Sequence, residues 1–257
     1  AVFHFLEAGV PILIVPGAIA GGTGPATLAG VLVQAMAEFL AGVVLVQILK
    51  PGNPVIYGHY NTVMDMRFGT YASGAVESSM LAAAAAQISR FYGVPNYGIY
   101  GTSDSHLQDE QVGYEKAMQW LLGAQAGVDV LHGLGNVNNN TLFALSQMVI
   151  DYDIGAMVRR VLEGIQVDEE RLAVQVLKDI GPLGNFLSEE HTGLFYRQES
   201  LMPQVSERRG LEPWKAAGSP DIITRAKART KQLLDAYECP VAPDVVQAID
   251  AFLKSLQ

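Results

Sequence analysis

The sequence predicts an α/β fold in which four strand–loop–helix units build a parallel sheet and a helical tail follows. Two observations predict it. Four short apolar segments of strand length alternate with longer segments of helical character, and each predicted strand is followed by a loop opened by a glycine. These glycines are 41, 43 and 32 residues apart and are Gly17, Gly58, Gly101 and Gly133. Units of this kind with apolar strands indicate right-handed crossovers between parallel strands.

The first unit starts with the apolar run Val10–Val15, which Pro16-Gly17 ends and which we expect to be a fully buried strand. A loop of small residues, Gly17–Gly24, follows. Pro25 suits the first turn of a helix that we expect to continue through Leu40. The segment Val43–Leu49 fits either a strand or a continuation of that helix.

One stretch of the first unit, Leu28–Leu49, is almost uncharged and long enough to cross a membrane. Glu38 lies in its middle, and a central carboxylate costs about 2.5–3.5 kcal/mol on insertion. Gly42 also divides the stretch. We therefore expect a buried helix followed by a strand or second helix, and no membrane association.

The remaining units repeat the same order. The predicted strands are Pro54–Tyr57, Asn96–Gly101 and Asp129–Leu131, the loops are Gly58–Gly74, Thr102–Gln108 and His132–Asn140, and the helices are Glu77–Tyr92, Asp109–Ala126 and Thr141–Gly164. Four units are half of a (β/α)8 barrel, which typically needs ~250 residues. The sheet is therefore either open, as in a doubly wound fold, or completed by something outside this chain.

The composition changes after Gly164. Residues 1–155 contain four of the 17 Lys and Arg residues, and the rest of the chain holds the others. We divide the chain into residues 1–181, which carry the βα units, and 182–257, an irregular and helical extension that packs on the first part or on a partner. The tail is predicted to contain helices at Val167–Ile180, Ser219–Tyr237 and Ala242–Leu256, with an irregular segment at Asn185–Gly210.

Bulk composition excludes several classes of function. A net charge of −9 argues against general nucleic-acid binding. The single cysteine, Cys239, excludes an internal disulfide and any multi-cysteine zinc or iron–sulfur site, and it fits a cytoplasmic protein. The chain opens with Ala1 and an amphipathic segment without a basic region, so we expect no signal peptide but a processed or incomplete N-terminus.

The polar side chains that follow the four strands are the candidate functional residues. Since the carboxyl ends of parallel strands meet at one edge of a sheet, we expect these side chains to line one crevice. The candidates are Gly21, Gly22 and Thr23 after the first strand, His59 and Tyr60 after the second, Tyr100, Thr102, Ser103, Asp104 and His106 after the third, and His132 and Asn136 after the fourth.

Neither a metal site nor a nucleophile elbow is predicted at these strand ends. Three histidines and an aspartate are available, but no His-x-x-x-His or Asp-x-His pairing supports a metal. The run Gly101-Thr102-Ser103-Asp104 does not match Gly-x-Ser-x-Gly.

Two features leave alternatives open. The Gly17–Gly24 loop precedes a helix and could cradle a phosphate, although it lacks the P-loop Lys and the dinucleotide spacing, or its small residues could let a large flat ligand approach. Aromatic residues near the strand ends, including Tyr57, Tyr60, Tyr97 and Tyr100, could be ordinary core or a cage for a quaternary ammonium held by cation–π attraction.

Several stretches in consistent order resemble the trimethylamine methyltransferase (MttB-like) family. They are Pro54-Val-Ile-Tyr-Gly, Met64-Asp-Met-Arg, Thr102-Ser-Asp-Ser, Asp109-Glu-Gln-Val-Gly-Tyr-Glu, Val149-Ile-Asp-Tyr-Asp, Gly184-Asn-Phe-Leu, His191-Thr and Met202-Pro. The resemblance implies a (β/α)8 TIM-barrel fold of about twice this length, of which this chain is similar to the C-terminal half.

The resemblance also implies a function. Family members transfer a methyl group from a methylamine or quaternary amine to the Co(I) of a corrinoid (cobalamin) presented by a separate protein. The founding members carry pyrrolysine, and we place that position at or beside Thr102. An ordinary residue there points to the branch without pyrrolysine, which includes glycine betaine demethylases, and His106 stands where many relatives have a Lys.

The resemblance and the strand-end positions together suggest roles. Asp104, His132 and Asn136 are the predicted catalytic residues, and Tyr60, Tyr100, Thr102, Ser103 and His106 are expected to bind the substrate. Gly21, Gly22, Thr23 and His59 are expected to meet the corrinoid. Two other hypotheses stay open: an α/β enzyme with a phosphate-bearing ligand at Gly17–Gly24, and an inactive half-barrel that serves binding or assembly. A half-barrel exposes sheet edges, so we expect a homo-oligomer.

Overall fold

The computed structural model describes residues 2–98, 100–238 and 240–255. Ile99 of the predicted third strand, Cys239 and Leu256 at the end of the last predicted helix lie outside the described residues. The strands are β1 (Ile12–Ile14), β2 (Ile19–Ala20), β3 (Val55–His59), β4 (Thr62–Asp65), β5 (Thr70–Ala72), β6 (Asn96–Gly98), β7 (Val130–Leu131), β8 (Asn136–Val137) and β9 (Leu142–Phe143). The helices are α1 (Val2–Glu7), α2 (Leu28–Leu49), α3 (Val76–Tyr92), α4 (Glu110–Gln125), α5 (Leu145–Glu163), α6 (Glu169–Leu172), α7 (Val174–Ile180), α8 (Glu190–Glu199), α9 (Leu211–Ala216), α10 (Ile222–Asp235) and α11 (Pro243–Ser255).

The central sheet has four parallel strands in the order β1-β3-β6-β7. Tyr57 of β3 pairs with Asn96, and Gly98 of β6 pairs with Leu131. The order follows the chain, and α2, α3 and α4 connect successive strands and pack on the sheet. The predicted α/β class and parallel sheet are confirmed. Among the described strands, none pairs with the outer edges of β1 and β7, so the sheet does not close into a barrel.

The prediction that the first strand is fully buried is wrong. β1 lies at the edge of the sheet, and Leu13 and Val15 are 42% and 40% exposed. The strand is apolar because its opposite face packs on helices: Ile14 contacts the cluster of Phe39, Tyr57 and Ala85. Its other face, on the side of the sheet away from α2, α3 and α4 and here called the concave side, is left uncovered by the described residues.

The ambiguous segment Val43–Leu49 continues the first helix, so α2 runs unbroken from Leu28 to Leu49. Gly42 does not divide it. A Cβ at this position would lie 2.9 Å from Ile14 Cγ2, so the glycine lets the helix approach β1 closely. The helix starts later than Pro25 because Thr27 caps it by accepting a hydrogen bond from Gly30 N.

The expectation of a buried helix is met on one side of α2 only. Val31, Ala35, Phe39 and Val46 are buried, whereas Ile48 and other large apolar residues are exposed. Within the described residues, α2 is the helix long and apolar enough to cross a membrane by length and composition. Its packing against β1, β3 and α3 is that of an outer helix in a βα unit.

Two predicted loops contain additional strands. The loop after β3 forms the antiparallel pair β4–β5, and β2 joins it by pairing in parallel with β4. The loop after β7 forms the hairpin β8–β9, so α5 begins at Leu145 rather than Thr141. Both additions follow the carboxyl ends of the central strands.

The tail has more helix than predicted. The helix expected at Val167–Ile180 is divided into α6 and α7 at Ala173, whose φ is +50°. The segment 185–210 contains α8, and α9 precedes α10. α10 packs on α5 through Ala226 and Val149, together with Val205. The domain boundary at residues 181/182 stays a prediction.

The core between the sheet and the helices is organised around two tyrosines. Tyr57 packs against Phe39, with ring centroids 4.6 Å apart, and Tyr100 packs in a cluster with Ala82, Trp120 and Val158. Glycines admit the Tyr100 ring. A Cβ at Gly98 would lie 2.3 Å from Tyr100 Cε2, and one at Gly123 would lie 2.5 Å from Cε1.

We predict that Gly123→Ala destabilises the protein by about 1–3 kcal/mol, because the added methyl overpacks the Tyr100 ring. Gly113→Ala in the same helix is the control, since a Cβ there has no neighbour within 4 Å. It should stabilise the protein by up to about 1 kcal/mol through helix propensity. Urea denaturation measures both changes. Equal effects of the two substitutions would contradict the packing of Tyr100.

Candidate functional site

Three aromatic rings lie together at the carboxyl ends of β3, β6 and β7. The rings of Tyr97 and His132 are parallel within 3°, with centroids 4.6 Å apart. Tyr60 lies 5.8 Å from His132 and 6.4 Å from Tyr97, with interplanar angles of 19° in both cases. Tyr60, Tyr97 and His132, here called the aromatic cluster, are each partly exposed on the concave side of the sheet. The surface around these three rings is called the crevice below.

Burial keeps Tyr60 and His132 of the aromatic cluster uncharged near neutral pH. Burial lowers the pKa of His132 below its usual value, so the imidazole stays neutral. Burial, followed by the neighbouring hydroxyl of Tyr97, raises the pKa of Tyr60. The Tyr60 hydroxyl lies 3.4 Å from His132 Nε2. The crevice therefore presents neutral aromatic faces and carries no positive charge of its own on these three residues.

Tyr71 connects the aromatic cluster to the carboxylate of Asp104. Tyr71 donates its hydroxyl hydrogen to Tyr60 O at 3.3 Å. Burial and then the negative charge of Asp104 raise the pKa of Tyr71 to about 12. Asp104 Oδ1 accepts hydrogen bonds from Ser73 N at 2.8 Å and Ser73 Oγ at 3.1 Å. The backbone and side chain of Ser73 thus fix the orientation of this carboxylate.

The loops after β6 and β7 are joined by a left-handed turn. Asn138, Asn139 and Asn140 have φ angles of +51°, +52° and +64°. Such conformations are costly for residues other than glycine, and asparagine tolerates them best. Asn138 N donates to Ser105 O at 2.9 Å, and Asn139 N donates to Ser103 O at 2.8 Å. The exposed His106 pairs through Nδ1 with Asn138 Oδ1, so this predicted site residue helps to join the two loops.

Three predicted substrate-binding residues lie inside the protein rather than on the crevice. Tyr100, Thr102 and Ser103 are each 0% exposed. Thr102 faces α4, where Gln119 Oε1 accepts from Thr102 N at 3.0 Å and Gln119 Nε2 donates to Thr102 O at 3.0 Å. Ser103 Oγ donates to Glu115 Oε2 at 2.6 Å. These residues shape the loop that carries Asp104, because Glu115 Oε2 also accepts from Asp104 N.

His59 is also inside the protein, at 2% exposure, although it was expected to meet a corrinoid. Neither ring nitrogen has a hydrogen-bond partner among the described residues. Burial lowers the pKa of His59 to about 4, so the side chain is neutral under ordinary conditions.

The Gly21–Thr23 turn is exposed, and its backbone amides are already used. Gly22 N, Thr23 N and Gly24 N all donate to Ile19 O at 2.9–3.0 Å, and Gly21 N donates to Gly24 O. No amide among these four is left for a phosphate. The side chains of this turn are no larger than threonine, and two methionines lie against it: a Cβ at Gly22 would be 2.6 Å from Met64 Cε, and one at Gly21 would be 3.4 Å from Met66 Sδ. Tyr60 N donates to Pro16 O at 3.0 Å, which joins Tyr60 to the segment that precedes this turn.

Asn136 begins β8 and is half-buried, with its backbone N–H donating to Gly133 O at 3.2 Å. The structure thus brings two sequence-predicted residues, Tyr60 and His132, together in the aromatic cluster, and it places Asp104 and Asn136 in the loops that follow β6 and β7. Among the described residues, no group of three or more His, Cys, Asp or Glu side chains is arranged to hold a metal ion.

The residues that support the crevice were not predicted from the sequence. Glu115, Lys116 and Gln119 are buried on the same helix as the buried Val112 and Trp120. The sequence contains a signal for these supporting residues, because polar residues on the apolar face of an amphipathic helix need partners inside the protein. Tyr97 was recognised only as one of several aromatic residues near the strand ends.

Comparison with known proteins identifies the family. The family model described as trimethylamine methyltransferase (MTTB) matches residues 1–256. The chain belongs to this family. It is 36% identical over 246 residues to the trimethylamine methyltransferase MttB of Methanosarcina barkeri. The aligned region covers 95% of this chain and 50% of that protein.

Other family members with different names are equally similar. The chain is 36% identical over 255 residues to the glycine betaine methyltransferase of Desulfitobacterium hafniense strain Y51, covering 98% of this chain and 53% of that protein. It is 37% identical over 250 residues to MttB1 of Methanosarcina acetivorans. The chain spans about half the length of the curated relatives that it matches.

We predict that the stability of the protein rises with pH between about 4 and 6.5 because of His59. In this window the buried imidazole stays neutral while the unfolded one, with its usual pKa of 6.5, takes up a proton. The unfolded state then binds more protons, so the free energy of unfolding increases with pH. One proton corresponds to about 1.4 kcal/mol per pH unit.

The measurement is urea denaturation at several pH values for the protein and for His59→Leu, which removes the titrating group. The substitution should reduce the slope of unfolding free energy against pH by about one proton. An unchanged slope would show that His59 is reached by water in the folded protein.

Proposed function

We propose that the protein of which this chain is part is a methyltransferase that moves a methyl group from a quaternary amine or methylamine to the Co(I) of a corrinoid protein. The aromatic cluster carries this proposal, together with family membership. Relatives at 36% identity are named for trimethylamine and for glycine betaine, both methylated amines. A crevice lined by three stacked aromatic rings is suited to binding such a group.

The charges around the crevice favour a cationic amine. Aromatic faces attract an ammonium through their electron-rich π systems, with about 0.5–2 kcal/mol per ring. Asp104 adds a carboxylate, and the pKa of His132 is lowered, so the ring does not repel a cation. The four cations of residues 1–155 are engaged elsewhere: Lys50 with Leu6 O, Arg67 with Asp65, Arg90 with Ala126 O and Lys116 with Asp151.

In the proposed reaction, these residues act by positioning the substrate. When the C–N bond of a quaternary ammonium breaks, its electron pair stays on nitrogen, and a neutral tertiary amine leaves without needing a proton. The corrinoid, held by its own protein, supplies the nucleophile that accepts the methyl group. Tyr60, Tyr97 and His132 would bind the cation and keep water from its methyl groups, and Asn136 would help to orient it. Holding the reactants in line for attack can by itself remove a large part of the activation free energy.

The small, exposed side chains of Gly21, Gly22 and Thr23 support the approach of a corrin ring from that side. The same loop gives no support to a phosphate-bearing ligand, because its amides donate to Ile19 O and Gly24 O. Tyr100, Thr102, Ser103 and His59 take structural roles in this proposal, since solvent barely reaches them.

We further propose that the chain is half of a (β/α)8 barrel. Its four parallel strands have unpaired outer edges among the described residues, and Leu13 and Val15 are exposed on the concave side. Unpaired edges and exposed apolar faces are normally covered in native proteins. Either a further part of the chain or a second copy would complete the sheet, and the second case agrees with the expected homo-oligomer.

The test is methyl transfer by the full-length protein with its corrinoid protein reduced to Co(I). Trimethylamine, glycine betaine and other quaternary amines are supplied one at a time, and the visible spectrum of the corrinoid reports its methylation. We expect methylation with at least one of these amines. A complete lack of methylation with all of them, with an active corrinoid protein present, would refute the proposal and favour a binding or assembly role.

We predict that Tyr97→Ala in the full-length protein weakens binding of tetramethylammonium by about 2- to 30-fold, the loss expected for one cation–π contact. Tyr97→Phe keeps the aromatic face and should bind within about twofold of the original protein. Tyr114→Ala, at an exposed position of α4, is the surface control. Isothermal titration calorimetry measures the dissociation constants. Equal affinities for all four proteins would place the cation elsewhere.

A further inference from the structure

An ion pair between α4 and α5 lies behind the His132 strand end. Lys116 Nζ is 2.6 Å from Asp151 Oδ2, and both side chains are 0% exposed. Burying two charges costs more free energy than their attraction returns unless further hydrogen bonds satisfy them. The groups that form those further hydrogen bonds therefore show which part of the chain the ion pair fixes.

The remaining bonds of the pair end mainly on the segment that follows His132. Lys116 Nζ donates to Gly133 O at 3.0 Å, and Gly135 N donates to Asp151 Oδ2 at 2.7 Å. Trp120 Nε1, one turn along α4, donates to His132 O at 3.0 Å. Residues 132, 133 and 135 are thus each fixed through the backbone by a side chain of α4 or α5.

This segment has a backbone that needs such support. Gly133 and Gly135 have φ angles of +99° and +80°. A Cβ at Gly133 would lie 2.5 Å from both Tyr100 O and Gly101 O, so the chain passes very close to the end of β6. Glycine loses the most conformational freedom on folding. Without the ion pair, Gly135 N would lose its side-chain partner and Gly133 O would keep only Asn136 N, and His132 is at the start of this segment.

We propose that Lys116 and Asp151 are positioning residues for the His132 imidazole. By fixing Gly133 O and Gly135 N, the pair keeps the imidazole parallel to Tyr97 and so preserves the face offered to a cationic methyl donor. The inference deepens the proposed function and rests on it for the reaction, whereas the geometry of His132 can be tested independently. The alternative is that the ion pair only joins α4 to α5 and has no effect on the orientation of the imidazole.

The test replaces both charges in the full-length protein, in the double variant Lys116→Met with Asp151→Leu. Replacing only one would leave an unpaired buried charge and unfold the site for an unrelated reason. The first readout is the NMR signal of the His132 ring. We expect the pKa of His132 to move up towards 6.5 as the ring loses its fixed, half-buried position.

Two further readouts report on the crevice. The affinity for tetramethylammonium should fall by about 2- to 5-fold, and kcat for methyl transfer by about 10- to 100-fold if misplacement is of the order of 1 Å. Gln147→Leu is the matched control: Gln147 bonds to Asp151 Oδ1 at 2.7 Å and to Gln108 Nε2 at 3.3 Å, and among the described residues it has no bond to the segment after His132. This variant should keep the His132 signal and the affinity of the original protein.

The outcomes separate the two proposals. If the original protein binds tetramethylammonium but transfers no methyl group, the proposed function is refuted. The NMR signal of His132 in the double variant still tests whether the ion pair positions the imidazole. A folded double variant with unchanged His132 signal and unchanged affinity would overturn the positioning role. If the double variant does not fold, hydrogen exchange in the original protein decides: the Gly135 amide should be protected, and exchange at the rate of a free loop amide would overturn the proposal.

Discussion

The buried polar face of α4 is the constraint on which the crevice depends. Glu115, Lys116 and Gln119 have their side-chain atoms inside the protein, and each satisfies them with backbone groups at a strand end. Gln119 fixes the start of the β6 loop, Glu115 fixes Asp104, and Lys116 with Asp151 fixes the segment after His132. An unpaired polar group at these positions would be costly, so the helix can dock only with both loops in place.

This arrangement explains why the crevice can be formed by uncharged aromatic rings. The charged and amide side chains that order the loops lie behind the strands, where they bond to backbone groups. The concave side is left to Tyr60, Tyr97 and His132, whose neutral faces suit a cationic amine. Membership of the trimethylamine methyltransferase family agrees with that chemistry.

The sequence sufficed to predict the parallel sheet, because strand-length apolar runs and loop-opening glycines recur at regular intervals. It did not reveal which strand-end side chains face the crevice. Thr102 and Tyr60 follow strands in the same way, yet one is bonded to Gln119 and the other stacks near His132. That difference depends on strand pleat and on helix partners distant in the sequence. The exposed apolar residues of β1 were missed because a buried central strand and an uncovered edge strand have the same apolar pattern.

A crystal structure of the full-length protein with tetramethylammonium bound tests the central claim most directly. We expect the ammonium nitrogen within about 6 Å of the ring centroid of at least one member of the aromatic cluster, on the concave side of the sheet. An ammonium bound away from these rings, with the crevice left free, would contradict it.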